Sequence, residues 1–442
     1  MTLFRPHRAR LEQCLERIAQ NEWKVQAFAY LRPADELREE AGLADDRAAA
    51  GETLSPIDGL PVGVNDLIDT AGSFTECGSR VLAGRLPAHD AEVVRRLRAA
   101  GVILMGKLRT HEFALGSRTP PTRNAVDSER SPGGSSGGSA AALGCGMVEG
   151  ALGTDSGGSI RKPAAYNGVV GLKPSPGIVP LDGVWPLAPS LDVCGPLGPD
   201  VATVEALLRV IGDVDGLVPF ALPVGRPLRV GVPRAHFCEQ LQEPVEQAFA
   251  YALDVLRGLG WEIVDVEIPI AARSVEIQIA ILAAEAAQVH AELFAEHADL
   301  YEANSRGYIE LGLAAPPERY AWGLEQRELV RAEVAVVLAG VDLIATPTTP
   351  FTAPPHDAYA LLIDGEEVSI DLASVRNCAI WAQADTPAIS LPCAADGDGL
   401  PIGLQLVAAP GGDLFLLGAA ALVERALADA LADALADALV DD

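Results

Sequence analysis

The chain has 442 residues, 49% of them hydrophobic, with 61 acidic against 33 basic side chains and a net charge of −28. Such a length and apolar content suit a large globular core and exclude a disordered chain, while the acidic balance argues against nucleic acid, whose phosphates need basic patches. The seven cysteines are odd in number and scattered, with no Cys-x-x-Cys pair and no Cys/His or His/Glu metal spacing, so they read as reduced, mostly buried small hydrophobes of a cytoplasmic protein.

The N-terminus has no apolar core of signal-peptide type, and no run of eighteen apolar residues exists to cross a membrane. In chain order, residues 1–50 read as N-terminal helices, with Leu11, Leu15 and Ile18 at helical spacing. A strand follows over 61–68, then a helix over 91–100 and a buried strand over 102–105, an alternation that predicts an α/β fold. The segment 164–174 reads as a short buried strand ending at a proline, and 201–212 as a helix. Proline and glycine at 213–228 predict a surface loop. Beyond it come a strand from Leu228, a helix over 243–259, a strand over 261–268, a mostly helical region over 272–338 and a short buried strand over 343–347. Residues 426–442 form an acidic helix with an Ala-Asp-Ala-Leu repeat, whose leucine stripe could pack on the body or on a neighbour but reads as a fraying end.

The densest signal lies between Ser131 and Lys173. Two serine clusters stand in glycine there: Gly133-Gly134-Ser135-Ser136-Gly137-Gly138 and Gly153-Thr154-Asp155-Ser156-Gly157-Gly158-Ser159. Glycine opens backbone conformations closed to other residues and lets a ligand approach bare amides. A flexible Gly/Ser linker is the bland alternative, but the run between the clusters is apolar enough to be buried. Hydroxyls in tight turns beside free N–H groups suit acyl transfer, which needs a nucleophile and donors for the oxyanion it creates.

These residues strongly resemble the amidase signature family, whose members carry a GGSSGG element, then GTDxGGSIRxPAA, then GxxGLKPS at this spacing. The resemblance extends to Asp58-Gly-Leu-Pro-Val-Gly-Val, Gly106 to Ala114, Pro189 to Leu197, Thr386 to Pro392 and Leu400 to Leu406, and so covers roughly residues 5 to 425. It implies one large α/β domain with a central mixed, twisted sheet flanked by helices on both faces. Residues 61–212 would be the catalytic core and 228–425 a second half with substrate-pocket elements. It also implies a Ser–Ser–Lys triad that cleaves amides. Ser159 would be the acylated nucleophile, Ser135, following a cis peptide bond, would relay the proton, and the backbone N–H groups of Ser156, Gly157, Gly158 and Ser159 would form the oxyanion hole. No cofactor and no metal are implied.

One position departs from the family. Its lysine base stands in a Val-x-Val-Lys-Asp strand, which here reads Val62-Gly63-Val64-Asn65-Asp66. Asparagine can hydrogen-bond to Ser135, but it has no useful basicity near neutral pH. Three readings follow: an inactive variant with lysine replaced to trap a complex, a natural member turned to other chemistry, or a substitute base. For the last, the candidates are Lys107, His111 and Lys162, the bland role being favoured for the first two.

The expected function is cleavage of a small-molecule amide through a Ser159 acyl-enzyme, impaired by Asn65. The alternatives are acyl transfer or amide formation, and a non-catalytic binding role. The expected partner is the small amide, with a second copy or a small helical protein as further candidates, and no nucleic acid and no membrane. PERYAWGLEQREL (317–329) stands where amidotransferase-type members carry a tyrosine-rich glutamine-recognition segment, which weighs against that branch. Trp381 and Gln383 are candidates for the border of the acyl pocket, with core packing as the plainer role.

Overall fold

The computed structural model describes residues 7–440, for 431–440 the backbone alone; the parts of the expected terminal helices at 1–6 and 441–442 lie outside the described residues. Helix α1 (His7–Val25) and helix α2 (Ala34–Ala50) enclose a four-residue strand, β1 (Phe28–Leu31). Next come β2 (Pro61–Asn65), α3 (Glu92–Ala99), β3 (Ile103–Leu108), α4 (Gly137–Gly144), β4 (Gly150–Asp155), α5 (Arg161–Asn167), β5 (Val170–Lys173), β6 (Val193–Gly198) and α6 (Val201–Ile211). The second half adds β7 (Arg229–Pro233), α7 (Glu243–Gly258), β8 (Glu262–Val266), α8 (Ser274–Val289), α9 (Ala291–His297), α10 (Ala303–Ala314), α11 (Pro317–Gly340), β9 (Leu343–Pro347), the hairpin β10 (Ala360–Ile363) and β11 (Glu366–Ser369), α12 (Ile370–Gln383), β12 (Ala388–Ala395), β13 (Pro401–Val407) and α13 (Asp413–Val440).

Eleven strands form one mixed sheet in the order β1-β3-β2-β4-β6-β5-β12-β13-β9-β7-β8. The expected α/β architecture, a mixed sheet with helices on both faces, is what the chain adopts. Strand β2 lies parallel to β3 and β4, whereas β4, β6, β5, β12, β13 and β9 pair antiparallel in turn. One face is covered by α3, α6, α7 and α13, which bury Leu97, Leu207, Leu253 and Leu417 against Val62, Val64 and Leu152. The other face carries α1, α2 and α4, with Leu11, Leu37 and Ala141 against Leu108 and Ala151. A third apolar cluster joins α8, α10, α11 and α12 through Ile281, Ile309, Val330 and Ile380.

Three expectations are corrected. The stretch 8–50 is interrupted by β1, which needs only Phe28 and its neighbours to pair with Leu108, Lys107 and Gly106 at the sheet edge. The strand at 61–68 ends at Asn65, where Asn65 Oδ1 accepts the Leu67 N–H at 3.0 Å and turns the chain. The first part of 164–174 is the end of α5, closed by Gly168 at φ 69°, before β5 begins.

Candidate active site

Strand alternation decides which side of the sheet each polar group occupies. Val62 and Val64 face the α3/α6 layer, so Gly63 and Asn65 face the α4 layer. Asn65 is opposite Leu108, itself packed in that layer. Lys107 is opposite Val64 and therefore lies on the other face. There its ammonium donates to the Ile68 carbonyl, to Thr75 Oγ1 at 3.0 Å and to Thr70 Oγ1 at 3.3 Å. Burial pushes it down to about 8, but the sheet separates it from the Asn65 side. Lys107 is thus a structural lysine.

Ser135 and Ser136 immediately precede α4, on the Asn65 side. The Gly134–Ser135 peptide is cis, as the resemblance implied. The Ser135 carbonyl accepts the His111 N–H and the Thr119 hydroxyl, each at 3.0 Å, and Ser136 exchanges hydrogen bonds with the Thr154 backbone at 3.2 Å. Ser136 N–H donates to the Ser159 carbonyl at 3.2 Å, tying the two serine clusters together. Ser135 Oγ and Asn65 Nδ2 are both buried and both without a partner among the described residues. The hydrogen bond that asparagine could make to Ser135 is therefore not formed. Asparagine ends two bonds beyond Cβ, where a lysine amine would stand four bonds beyond it.

The second cluster is a turn between β4 and α5, built on a buried ion pair. Arg161 Nη2 meets Asp155 Oδ1 at 2.9 Å, and Arg161 Nη1 continues to Gln405 Oε1 at 2.8 Å and the Cys378 carbonyl at 3.1 Å. Asp155 also accepts the N–H groups of Gly158 at 2.7 Å and Ile160 at 3.1 Å. Burial opposes its charge, yet Arg161, Lys173 and the Gly158 N–H outweigh it and hold the carboxyl below the usual range. Gly158 has φ 120°, and a Cβ there would lie 2.6 Å from that of Cys378, so only glycine fits. Its N–H is committed to Asp155 and is not free for an oxyanion, unlike those of Ser156, Gly157 and Ser159, which make no hydrogen bond among the described residues.

The turn is braced from outside. Ser156 Oγ donates to Asp192 Oδ1 at 2.5 Å, while Gln278 Nε2 holds the Ser156 carbonyl at 2.8 Å. Gln383 supports Gln278 Oε1 at 3.1 Å, and Trp381 stacks on Phe237; neither Gln383 nor Trp381 lines the cleft, so packing is their role. Gln278, 122 residues from its partner, carries no local sequence signal.

A cleft opens onto this turn. Ser156, Gly157, Ser159 and Lys162 form one wall, and Leu115, Leu187, Ile279, Leu282 and Val375 give it a largely apolar lining. Ser135 and Asn65 are buried and do not line the cleft. His111 is buried; its Nδ1 faces the Arg118 carbonyl at 2.5 Å, and burial pushes it down to about 4, leaving it neutral at pH 7. Among the described residues no group of acidic, histidine and cysteine side chains could hold a metal ion, and no helix is long and apolar enough to cross a membrane.

Comparison with known proteins bears on this arrangement. The model of the Amidase family matches residues 9–417. The chain belongs to the amidase signature family. It is 38% identical to a glutamyl-tRNA(Gln) amidotransferase subunit from Anaeromyxobacter sp. (strain K), over 94% of this chain and 92% of that one. A solved amidase structure superimposes with a TM-score of 0.88 at 34% identity, covering 95% and 96% of the two chains. The native peptide amidase of Stenotrophomonas maltophilia follows at 0.79 and 27%, over 95% and 93%. This amidase family acts on carbon–nitrogen bonds, and the likeness to an amidotransferase component is closer than the sequence segment at 317–329 implied.

Proposed function

We propose that the chain is built to cleave the amide bond of a small molecule through an acyl-enzyme on Ser159, and that Asn65 impairs the step. Ser159 Oγ attacks the carbonyl carbon, and the N–H groups of Ser156, Gly157 and Ser159 receive the developing oxyanion. The Ser159 proton passes to Ser135 Oγ, whose own proton needs an acceptor at position 65. The C–N bond then breaks, the leaving nitrogen takes up a proton, and water hydrolyses the ester to release the acid and restore Ser159.

The observation that carries this reading is the pair of buried, unpartnered polar atoms on one face of the sheet, Ser135 Oγ and Asn65 Nδ2. Buried polar groups are mostly satisfied, and a catalytic role is one explanation for an exception. A lysine at position 65 would carry its amine two bonds further from the backbone than the asparagine amide nitrogen. The test is Asn65→Lys, assayed on a panel of amides; a folded variant as inert as the parent would refute it. Against Lys107 as substitute base stands its face of the sheet, and against His111 its low basicity, pushed down to about 4 by burial, with Nδ1 on the Arg118 carbonyl and Nε2 facing Asn304.

A second reading is favoured by the 38% identity to an amidotransferase component: the acyl-enzyme forms and the released ammonia serves an amide-forming reaction with a partner protein. Product analysis with competing amines, and copurification with a partner, separate the two.

A further inference from the structure

Lys162 is the feature that the proposed reaction does not use. Its side chain is buried, with about 2% exposed, and it lines the cleft three residues beyond Ser159. Its ammonium has three donors and makes one hydrogen bond, to Ser117 Oγ at 3.1 Å. No carboxylate of the described residues lies within ion-pair distance of it. Asp371 lines the same cleft, but its charge faces Arg118 Nε at 3.6 Å. Asp155 is engaged by Arg161. A cation so placed, in a cleft also lined by Leu115, Leu282 and Val375, is desolvated and unpaired, and buried charges are ordinarily paired.

We propose that Lys162 is the anchor for a carboxylate on the acyl arm of the substrate, so that the molecule taken by this cleft is the monoamide of a dicarboxylic acid, its amide carbon at Ser159 and its free carboxylate on the Lys162 ammonium. This rests on the reading of the cleft as the acyl site and adds the chemical class of the acyl group. The apolar lining of the same cleft suits a methylene chain. The charged groups facing Lys162 are Asp371, Asp155, Arg161 and the thiol of Cys378. Burial pushes Lys162 down to about 8, opposed by Cys378 and the two carboxylates, so the cationic form predominates at pH 7 and is lost as pH rises through 8.

The test is binding, which does not need Asn65 to be catalytic. Calorimetric titration of the unchanged protein with succinamate, glutaramate and adipamate, each against its neutral diamide, should show the charged ligand tighter by at least about tenfold for one chain length, the size of a charge-assisted hydrogen bond. Lys162→Met should erase that difference while the diamide binds as before. In the unchanged protein the preference should fade between pH 7 and 9, a readout that stands even if the variant does not fold. Diamides binding as well as monoamide acids would overturn the anchor and leave the acyl site intact. Binding of neither would overturn both. In an Asn65→Lys background, loss of turnover on charged and neutral amides alike upon Lys162→Met would assign Lys162 to proton transfer and overturn the anchor.

Discussion

Replacing Asn65 by lysine is the perturbation with the largest expected effect. The position is fully buried. The three lysines already enclosed in this fold, Lys107, Lys162 and Lys173, are each pushed down to about 8 by burial. A lysine at 65 belongs in the same range. About a tenth of it would be neutral at pH 7 and about nine tenths at pH 9, so kcat/KM should climb roughly ninefold across that interval. A positioned base is worth on the order of 10²- to 10⁴-fold in rate. Against this stands the loss of the Asn65 Oδ1 bond to the Leu67 N–H, about 1 kcal/mol, which a folded protein of this size can bear. The assay is ammonia release from primary amides and chromophore release from anilides, followed from pH 6 to 9.5. A folded variant with no gain, or with a gain independent of pH, would refute the argument.

Further outcomes follow from the same geometry. In the Asn65→Lys background, Ser135→Ala should return turnover to within about tenfold of the parent level, since the relay is cut at its middle; unchanged kcat would remove Ser135 from the proton path. Asp155→Asn leaves the Arg161 charge buried without its partner and should cost about 3–5 kcal/mol in urea unfolding at pH 7. Because the Asp155 carboxyl is depressed in the folded chain, its contribution is full above the unfolded value of about 4 and is lost as pH falls through the folded value. The difference between parent and variant should therefore narrow in acid. Gly158→Ala, which would place a methyl 2.6 Å from the Cys378 Cβ at a φ of 120°, should cost at least about 1–3 kcal/mol and distort the turn that carries Ser159. All seven cysteines are free, and burial pushes the thiols of Cys14, Cys194 and Cys393 up to about 12. Ellman's reagent should leave these three untouched in the native protein and titrate all seven in denaturant.

The two serine clusters, Asn65 and the α/β alternation were legible because each is written locally, as glycines around a hydroxyl or as apolar runs of strand length. The order of the sheet was not, since β5 meets β12 and β4 meets β6 through pairings that no local pattern encodes. Strand β1 escaped because four residues between two long helices give too short a period to detect. Asp155 and Arg161 are plain in the sequence, but their pairing is not. Its meaning comes from burial, and from Gln405, which lies 244 residues beyond Arg161. Lys107 shows the limit most clearly. Sequence alone left it a candidate base, and a single register fact, its position opposite Val64, places it on the far side of the sheet.

The identity of the acylated residue is tested most directly with an activated ester, whose leaving group needs no proton. The account predicts that p-nitrophenyl acetate leaves an acetyl group on the peptide carrying Ser159, that peptide mass spectrometry locates it on that serine, and that Ser159→Ala abolishes it. Release of p-nitrophenol with the label elsewhere, or with no dependence on Ser159, would contradict it.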